Sequence, residues 1–282
     1  MQRRTRQTGT FTPYVYCHIF MRYFLEIAYD GTDYHGWQSQ PNARTVQQVL
    51  TKSLETILRQ PIDTVGSGRT DTGVHAGQQF VHFDVAAALP EAGFCQRLNR
   101  LLPNDISAVA LFPVGPGAHA RFDAVHRTYQ YRITREKNPF LPRYAHYLNR
   151  PVDVDQLNAA AALLLQYEDF TTFSKVKGDT LHYRCQMHQA YWQQQGPELT
   201  FTIRANRFLR GMVRLVVGTL LDVGTGKIPV GAFQDILAAQ DRRQASGAAP
   251  APGLFLSQVS YPENYFETQR ALFHARETPV SE

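Results

Sequence analysis

Tyr23, Leu25, Ile27 and Tyr29 recur at every second position of the segment RYFLEIAY, the period of a strand with one buried face. After the polar stretch DGTDYHGWQSQPNAR, Thr45 and Gln48 stand in capping-box spacing. Val46, Val49, Leu50, Leu54, Ile57 and Leu58 then follow at helical spacing, which predicts a helix of about 14 residues. A short strand over 62–66, a glycine-rich loop, a strand over 78–84, a helix around 92–102 and a strand over 106–112 complete the order βαββαβ.

That order builds an antiparallel sheet with both helices on one face, leaving the other face free to bind a partner. The second half repeats it: strand 129–134, helix 154–167, strands near 187–193 and 199–205, helix 208–222, an extra helix over 230–239 and strand 255–261. The expected fold class is α/β (α+β), two RRM-like or ferredoxin-like βαββαβ lobes with mainly antiparallel sheets flanking a central basic cleft. Residues 21–116 form the first lobe and 117–262 the second, joined through PVGPGAH at 113–119. Residues 1–20 read as a disordered extension, or as the product of a start codon chosen upstream of Met21; residues 263–282 form a tail without clear pattern.

Composition narrows the class. Of 282 residues, 43% are hydrophobic and 19% charged, which suits a folded soluble protein and excludes a disordered one. The longest apolar run, 215–223, is broken by Gly218 and Asp222 and falls short of the roughly 18 residues of a membrane span. Cys17, Cys95 and Cys185 are odd in number and lack CxxC spacing, so neither a disulfide framework nor a zinc site is expected, and a reducing cytoplasmic setting follows. Arg3, Arg4 and Arg6 supply much of the net charge of +5, so the arrangement of charge matters more than its sum.

The loop GSGRTDTG has neither the third glycine of a dinucleotide fingerprint nor the Gly-Lys-Ser/Thr of a phosphate loop. GTGK at 224–227 fails the same test and reads as a helix C-terminal turn. Arg69 and Asp71 have a bland reading as a surface turn with a local ion pair. The chemical reading is a carboxylate favoured in its charged form by arginine and suited to nucleophilic attack, on a loop whose glycines admit close approach of a ligand. Arg207, Arg210 and Arg214 fall at i, i+3 and i+7 on one face of the expected helix, either a solvated stripe or one that lines an RNA groove. His35, His75 and His82 lack ligand spacing and read as packing or hydrogen-bonding residues, and Asp30 and Asp33 as turn residues.

Five blocks resemble the TruA-type tRNA pseudouridine synthases: YDGTDYHGWQSQPNARTVQQVL (29–50), GSGRTDTGVHA (66–76), HARFDAVHRTYQYRI (119–133), ANRFLRGMVRLVVGTLLDVGTGK (205–227) and APGLFLSQVSY (251–261). They span nearly all of residues 21–262. The resemblance implies an isomerase that converts uridine to pseudouridine at positions 38, 39 and 40 of the tRNA anticodon stem-loop, with no cofactor and no metal. It implies a homodimer in which the tRNA touches both subunits. By motif, Asp71 resembles the catalytic aspartate, and Arg69 the residue that holds the target nucleotide out of the stack. Tyr129 resembles the tyrosine that packs on the uracil and assists removal of its C5 proton, Arg214 the basic partner of the aspartate, and Leu254 an apolar contact to the base. Arg207 and Arg210 are expected to contact RNA.

The residue types suit this chemistry, because a stacked uridine must be flipped out and its lost stacking replaced by an aromatic face and a cation. On its own, Tyr129 also fits an ordinary packed strand position beside Tyr131 and Ile133. A non-catalytic RNA-binding module would call for RNP-type aromatic strands, which are absent from the sequence. A glycosidase would call for two carboxylates across a cleft, and only Asp71 stands in a convincing loop.

Overall fold

Strand β1 (Met21–Tyr29) lies between β3 (His75–Val85) and β4 (Ile106–Val114), antiparallel to both, with Leu25 opposite Val81 on one side and Leu111 on the other. This is a computed structural model, and it describes residues 20–175 and 182–277. The expected extension over 1–20 lies outside the described residues except for Phe20. Between β1 and β3 run α1 (Val46–Leu58) and the two-residue β2 (Val65–Gly66). The capping box at the start of α1 is formed: the Gln48 amide donates to Thr45 Oγ1 at 3.4 Å, and the Thr45 amide to Gln48 Oε1 at 3.2 Å. Val46, Leu50 and Leu54 are its buried stripe. The expected helix over 92–102 is reduced to the six residues of α2 (Phe94–Asn99).

The second half consists of β5 (His126–Thr134), β6 (His146–Tyr147), α3 (Val154–Leu163), β7 (Met187–Gln195), β8 (Glu198–Ala205), α4 (Met212–Gly224), α5 (Val230–Ala238), β9 (Leu254–Ser260) and α6 (Tyr265–Glu277). The strands form a nine-stranded sheet in the order β4-β1-β3-β9-β5-β8-β7, with β2 beside β3 and β6 beside β5. Most pairs are antiparallel, and the fold is α+β with helices packed on the sheet. The two halves share this sheet through a short parallel pairing of β3 with β9, in which His75 faces Phe255 and Ala76 faces Leu256.

Two expectations are corrected. The helix expected over 208–222 begins only at Met212, because Gly211 adopts a left-handed φ of +71° at its N-cap. Arg207 and Arg210 therefore lie in the preceding loop, and of the arginine stripe only Arg214 is on the helix. The tail that showed no pattern contains α6, whose Phe266 stacks on Phe112 at 4.3 Å and Phe80 at 5.4 Å. The sheet face that carries Phe24, Phe80 and Phe112 is thus closed by α6 rather than free. Among the described side chains of this helix only Tyr265 and Phe273 are buried, a seam too narrow to register as periodicity. Among the described residues, no helix is long and apolar enough to cross a membrane.

Candidate active site

The loop between β2 and β3 is held from its first residue to its last. The Ser67 amide donates to the Phe80 carbonyl at 2.7 Å, the Trp37 amide to the Thr70 carbonyl at 3.2 Å, and the Gly73 amide to the Tyr34 carbonyl at 3.2 Å. The buried Tyr29 hydroxyl meets Thr70 Oγ1 at 2.8 Å. Backbone lies directly on backbone here: a Cβ on Gly31 would stand 2.0 Å from the Val74 oxygen, and one on Gly36 would stand 2.4 Å from the Thr70 oxygen. The two glycines of DGTDYHG are thus the condition for seating the second glycine-rich loop.

Asp71 projects from this clamp with 18% of its side chain exposed. The guanidinium beside it belongs to Arg210, whose Nε is 3.8 Å from Asp71 Oδ1. A Cβ on Gly211 would lie 3.6 Å from Asp71 Oδ2, so the carboxylate sits against the N-terminus of α4, where the helix dipole favours negative charge. The exposed Lys175 reaches the same place, with its Cε 3.1 Å from that Cβ position. Arg69 is exposed and makes no ion pair among the described residues, so the local Arg69–Asp71 pair of the bland reading does not form.

Tyr129 is buried on β5, its ring edge-on to Phe208 at 5.1 Å. Burial pushes its phenol up to about 12, with Arg127 opposing and the nearby charge of Asp71 adding to the rise. Leu254 opens β9, buried and opposite Tyr131. Arg214, expected as the basic partner of the aspartate, donates from Nε to the Ala249 carbonyl at 2.6 Å, while the Tyr131 hydroxyl donates to the Pro250 carbonyl at 2.9 Å. These two bonds fix the segment that leads into Leu254. Arg207 bonds His182 Nε2 at 3.1 Å.

Sequence reasoning passed over Arg127, two residues before Tyr129. Its Nη1 donates to the carbonyls of Ala124 at 2.8 Å and Asn206 at 3.0 Å, and its Nη2 to those of Ser67 at 3.1 Å and Arg121. The only sequence signal was its place in RTYQY, since none of those four carbonyls has a residue-type signature.

The remaining candidates are structural. His75 is buried, stacked on Phe255 at 4.5 Å, and burial pushes its ionisation down. His82 is buried against Phe24, whereas the His35 side chain is exposed. Asp30 accepts from the Thr32 amide and hydroxyl as a turn residue, and Asp33 pairs with Arg143. Among the described residues, no group of three His, Cys, Asp or Glu is arranged to hold a metal ion.

A sequence profile described as tRNA pseudouridine synthase matches residues 27–123 and 160–262. The tRNA pseudouridine synthase A of Bacteroides thetaiotaomicron is 47% identical over 256 residues, covering 89% of this chain and 95% of that protein. The protein of that name from Bacteroides fragilis is 48% identical over 249 residues, covering 87% and 98%. Its Bacillus licheniformis namesake is 40% identical over 245 residues, covering 86% and 99%. The chain belongs to the tRNA pseudouridine synthase family. A pseudouridine synthase is an isomerase, and the isomerase candidates Asp71, Arg69, Arg207, Arg210, Arg214 and Leu254 lie within the matched segments. Tyr129 of this synthase lies between them.

Proposed function

We propose that this chain isomerises uridine to pseudouridine at positions 38, 39 and 40 of the tRNA anticodon stem-loop, with Asp71 as the catalytic carboxylate. The observation that supports this most is the presentation of Asp71, in a member of this family, on a backbone-clamped loop between Arg210 and the N-terminus of α4. A uridine stacked in a stem is out of reach, so it must first leave the stack. Arg69, exposed and in no ion pair among the described residues, is suited to hold the displaced nucleotide.

Asp71 then assists cleavage of the bond between N1 and C1′. The freed uracil turns in the pocket, C5 bonds to C1′, the C5 proton departs and N1 gains one, so the product is an isomer. Tyr129 and Leu254 form the apolar wall on which the uracil turns. With its ionisation raised, Tyr129 is a neutral phenol at physiological pH, a hydrogen-bond donor and ring surface rather than a standing base. Arg210 balances the charge of Asp71, and Arg214 acts by holding the approach to Leu254. Neither the reaction nor this assignment calls for a cofactor or metal.

The lobes 21–116 and 117–262 would flank a basic cleft in which Arg207, Arg210 and Arg69 meet phosphates, with affinity falling as salt rises. The same reading makes the protein a cytoplasmic homodimer whose two subunits share one tRNA. The experiment is release of tritium from tRNA labelled at uridine C5, with no metal added, using transcripts in which uridine in the anticodon arm is confined to one of positions 38, 39 or 40. Release from these and not from a transcript lacking all three is expected. No release from any of them would overturn the reading.

A further inference from the structure

The half-buried Arg127 guanidinium donates to four carbonyls from three segments of chain, and among the described residues no carboxylate pairs with it. A charged group partly withdrawn from water without a countercharge is costly unless its donors find acceptors. A guanidinium has five donors fixed in a planar fork; an ammonium has three on one atom and cannot span acceptors so far apart. The fork is thus the property this site uses.

The partners explain why. Ser67 begins the loop that ends in Asp71 and Val74, and its carbonyl takes a bond from Nη2. Asn206 begins the loop that ends in Arg210 and Gly211, and its carbonyl takes a bond from Nη1. Arg121 and Ala124 belong to the crossing between the halves. One rigid group therefore spans both loops whose tips meet at Asp71 and Arg210, 3.8 Å apart. Arg127 also lies on β5 two residues from Tyr129, so the strand that places the tyrosine places the fork.

We propose that Arg127 is a positioning residue that sets the Asp71 loop in register with the Arg210 loop and with Tyr129. It touches no substrate atom. This rests on the reading of Asp71 as the catalytic carboxylate, and its test separates the two ideas. Arg127→Met keeps the stem and removes every donor, while Arg127→Lys keeps the stem and the charge but loses the fork.

The first measurement is amide hydrogen exchange on the free protein, which requires no activity. Arg127→Met should speed exchange in both 67–74 and 206–211 while leaving α1 and the later turns of α4 unchanged. Exchange that rises in one loop only, or evenly over the whole chain, overturns the proposal.

The second is turnover of C5-tritiated tRNA. Arg127→Met should lower kcat about a hundredfold, the effect of misplacing reacting groups by about 1 Å, with KM changed less than about threefold. Arg127→Lys should stay within about tenfold of the Met variant, because charge alone does not restore register. Full recovery in Arg127→Lys would make the role one of charge and overturn the proposal. If Arg127→Met does not fold, Arg127→Lys bears both measurements. A wild-type protein that releases no tritium sinks the assignment of Asp71, yet the exchange result still decides whether Arg127 couples the loops.

Discussion

Gly36→Ala tests whether the Asp71 loop is held by direct backbone packing. Gly36 has φ +85°, and its added Cβ would stand 2.4 Å from the Thr70 oxygen and 3.1 Å from the Asp71 carbonyl carbon. Ordinary contact begins at 3.4 Å, so the loop must retreat by roughly 1 Å beside Asp71. The left-handed conformation costs alanine about 1–2 kcal/mol and the forced shift about 1–3 kcal/mol more, a total of about 2–5 kcal/mol. If Asp71 is the catalytic carboxylate proposed above, a displacement of about 1 Å there should lower turnover about a hundredfold. Gly68, in the same loop, is the control for stability, because its added Cβ meets nothing within 4 Å. Gly68→Ala should therefore shift stability by less than about 0.5 kcal/mol. Urea unfolding followed by tryptophan fluorescence reads the stability, and single-turnover tritium release at saturating tRNA reads the rate. Equal urea midpoints for Gly36→Ala and Gly68→Ala would refute the clamp.

Asp71→Asn should abolish tritium release while tRNA affinity by filter binding stays within about threefold, and stability should move by less than about 1 kcal/mol, since its partner Arg210 is 78% exposed. Tyr129→Phe should lower kcat without changing the shape of the rate–pH profile between pH 6 and 9, because a phenol raised to about 12 stays protonated throughout. An inflection in that range that the variant loses would contradict this. His82, driven down to about 4 chiefly by burial, is neutral in the fold and protonates first in the unfolded chain. Stability should therefore fall by roughly 3 kcal/mol as pH drops from the ordinary histidine value of 6.5 to 4, and not above that window. His82→Asn keeps an acceptor for the Ala120 amide, and urea unfolding across the same pH range should show that part of the slope removed.

The local features were legible because local chemistry dictates them. The alternation in RYFLEIAY, the Thr45–Gln48 box and the glycine-rich loop each occupy a few consecutive residues, and each takes its expected form. The start of α4 was misjudged because apolar residues continue at helical spacing through Phe208, and only Gly211 marks the break. α6 was missed because the sheet face it closes is supplied by residues more than a hundred positions away, so a narrow buried seam suffices. The site divides in the same way. Asp71 and Arg69 could be named from their loop, but which guanidinium reaches Asp71 is decided where the chain returns at Arg210, and the role of Arg127 depends on carbonyl oxygens that every residue possesses.

The parallel rungs that join His75 to Phe255 and Ala76 to Leu256 also bear on the order in which the protein is made. A chain emerging from the ribosome can pair β1, β3 and β4 early, but the neighbour that completes the other side of β3 is synthesised near the end. Until β9 arrives, the strand leaving the Asp71 loop has a bare edge where it should have a partner, and Leu254 is missing from its place. The Asp71 carboxylate is thus assembled with these surroundings only once β9 has been made, and on the reading proposed above a product that keeps the whole glycine-rich motif but ends before Leu254 should have no catalytic power.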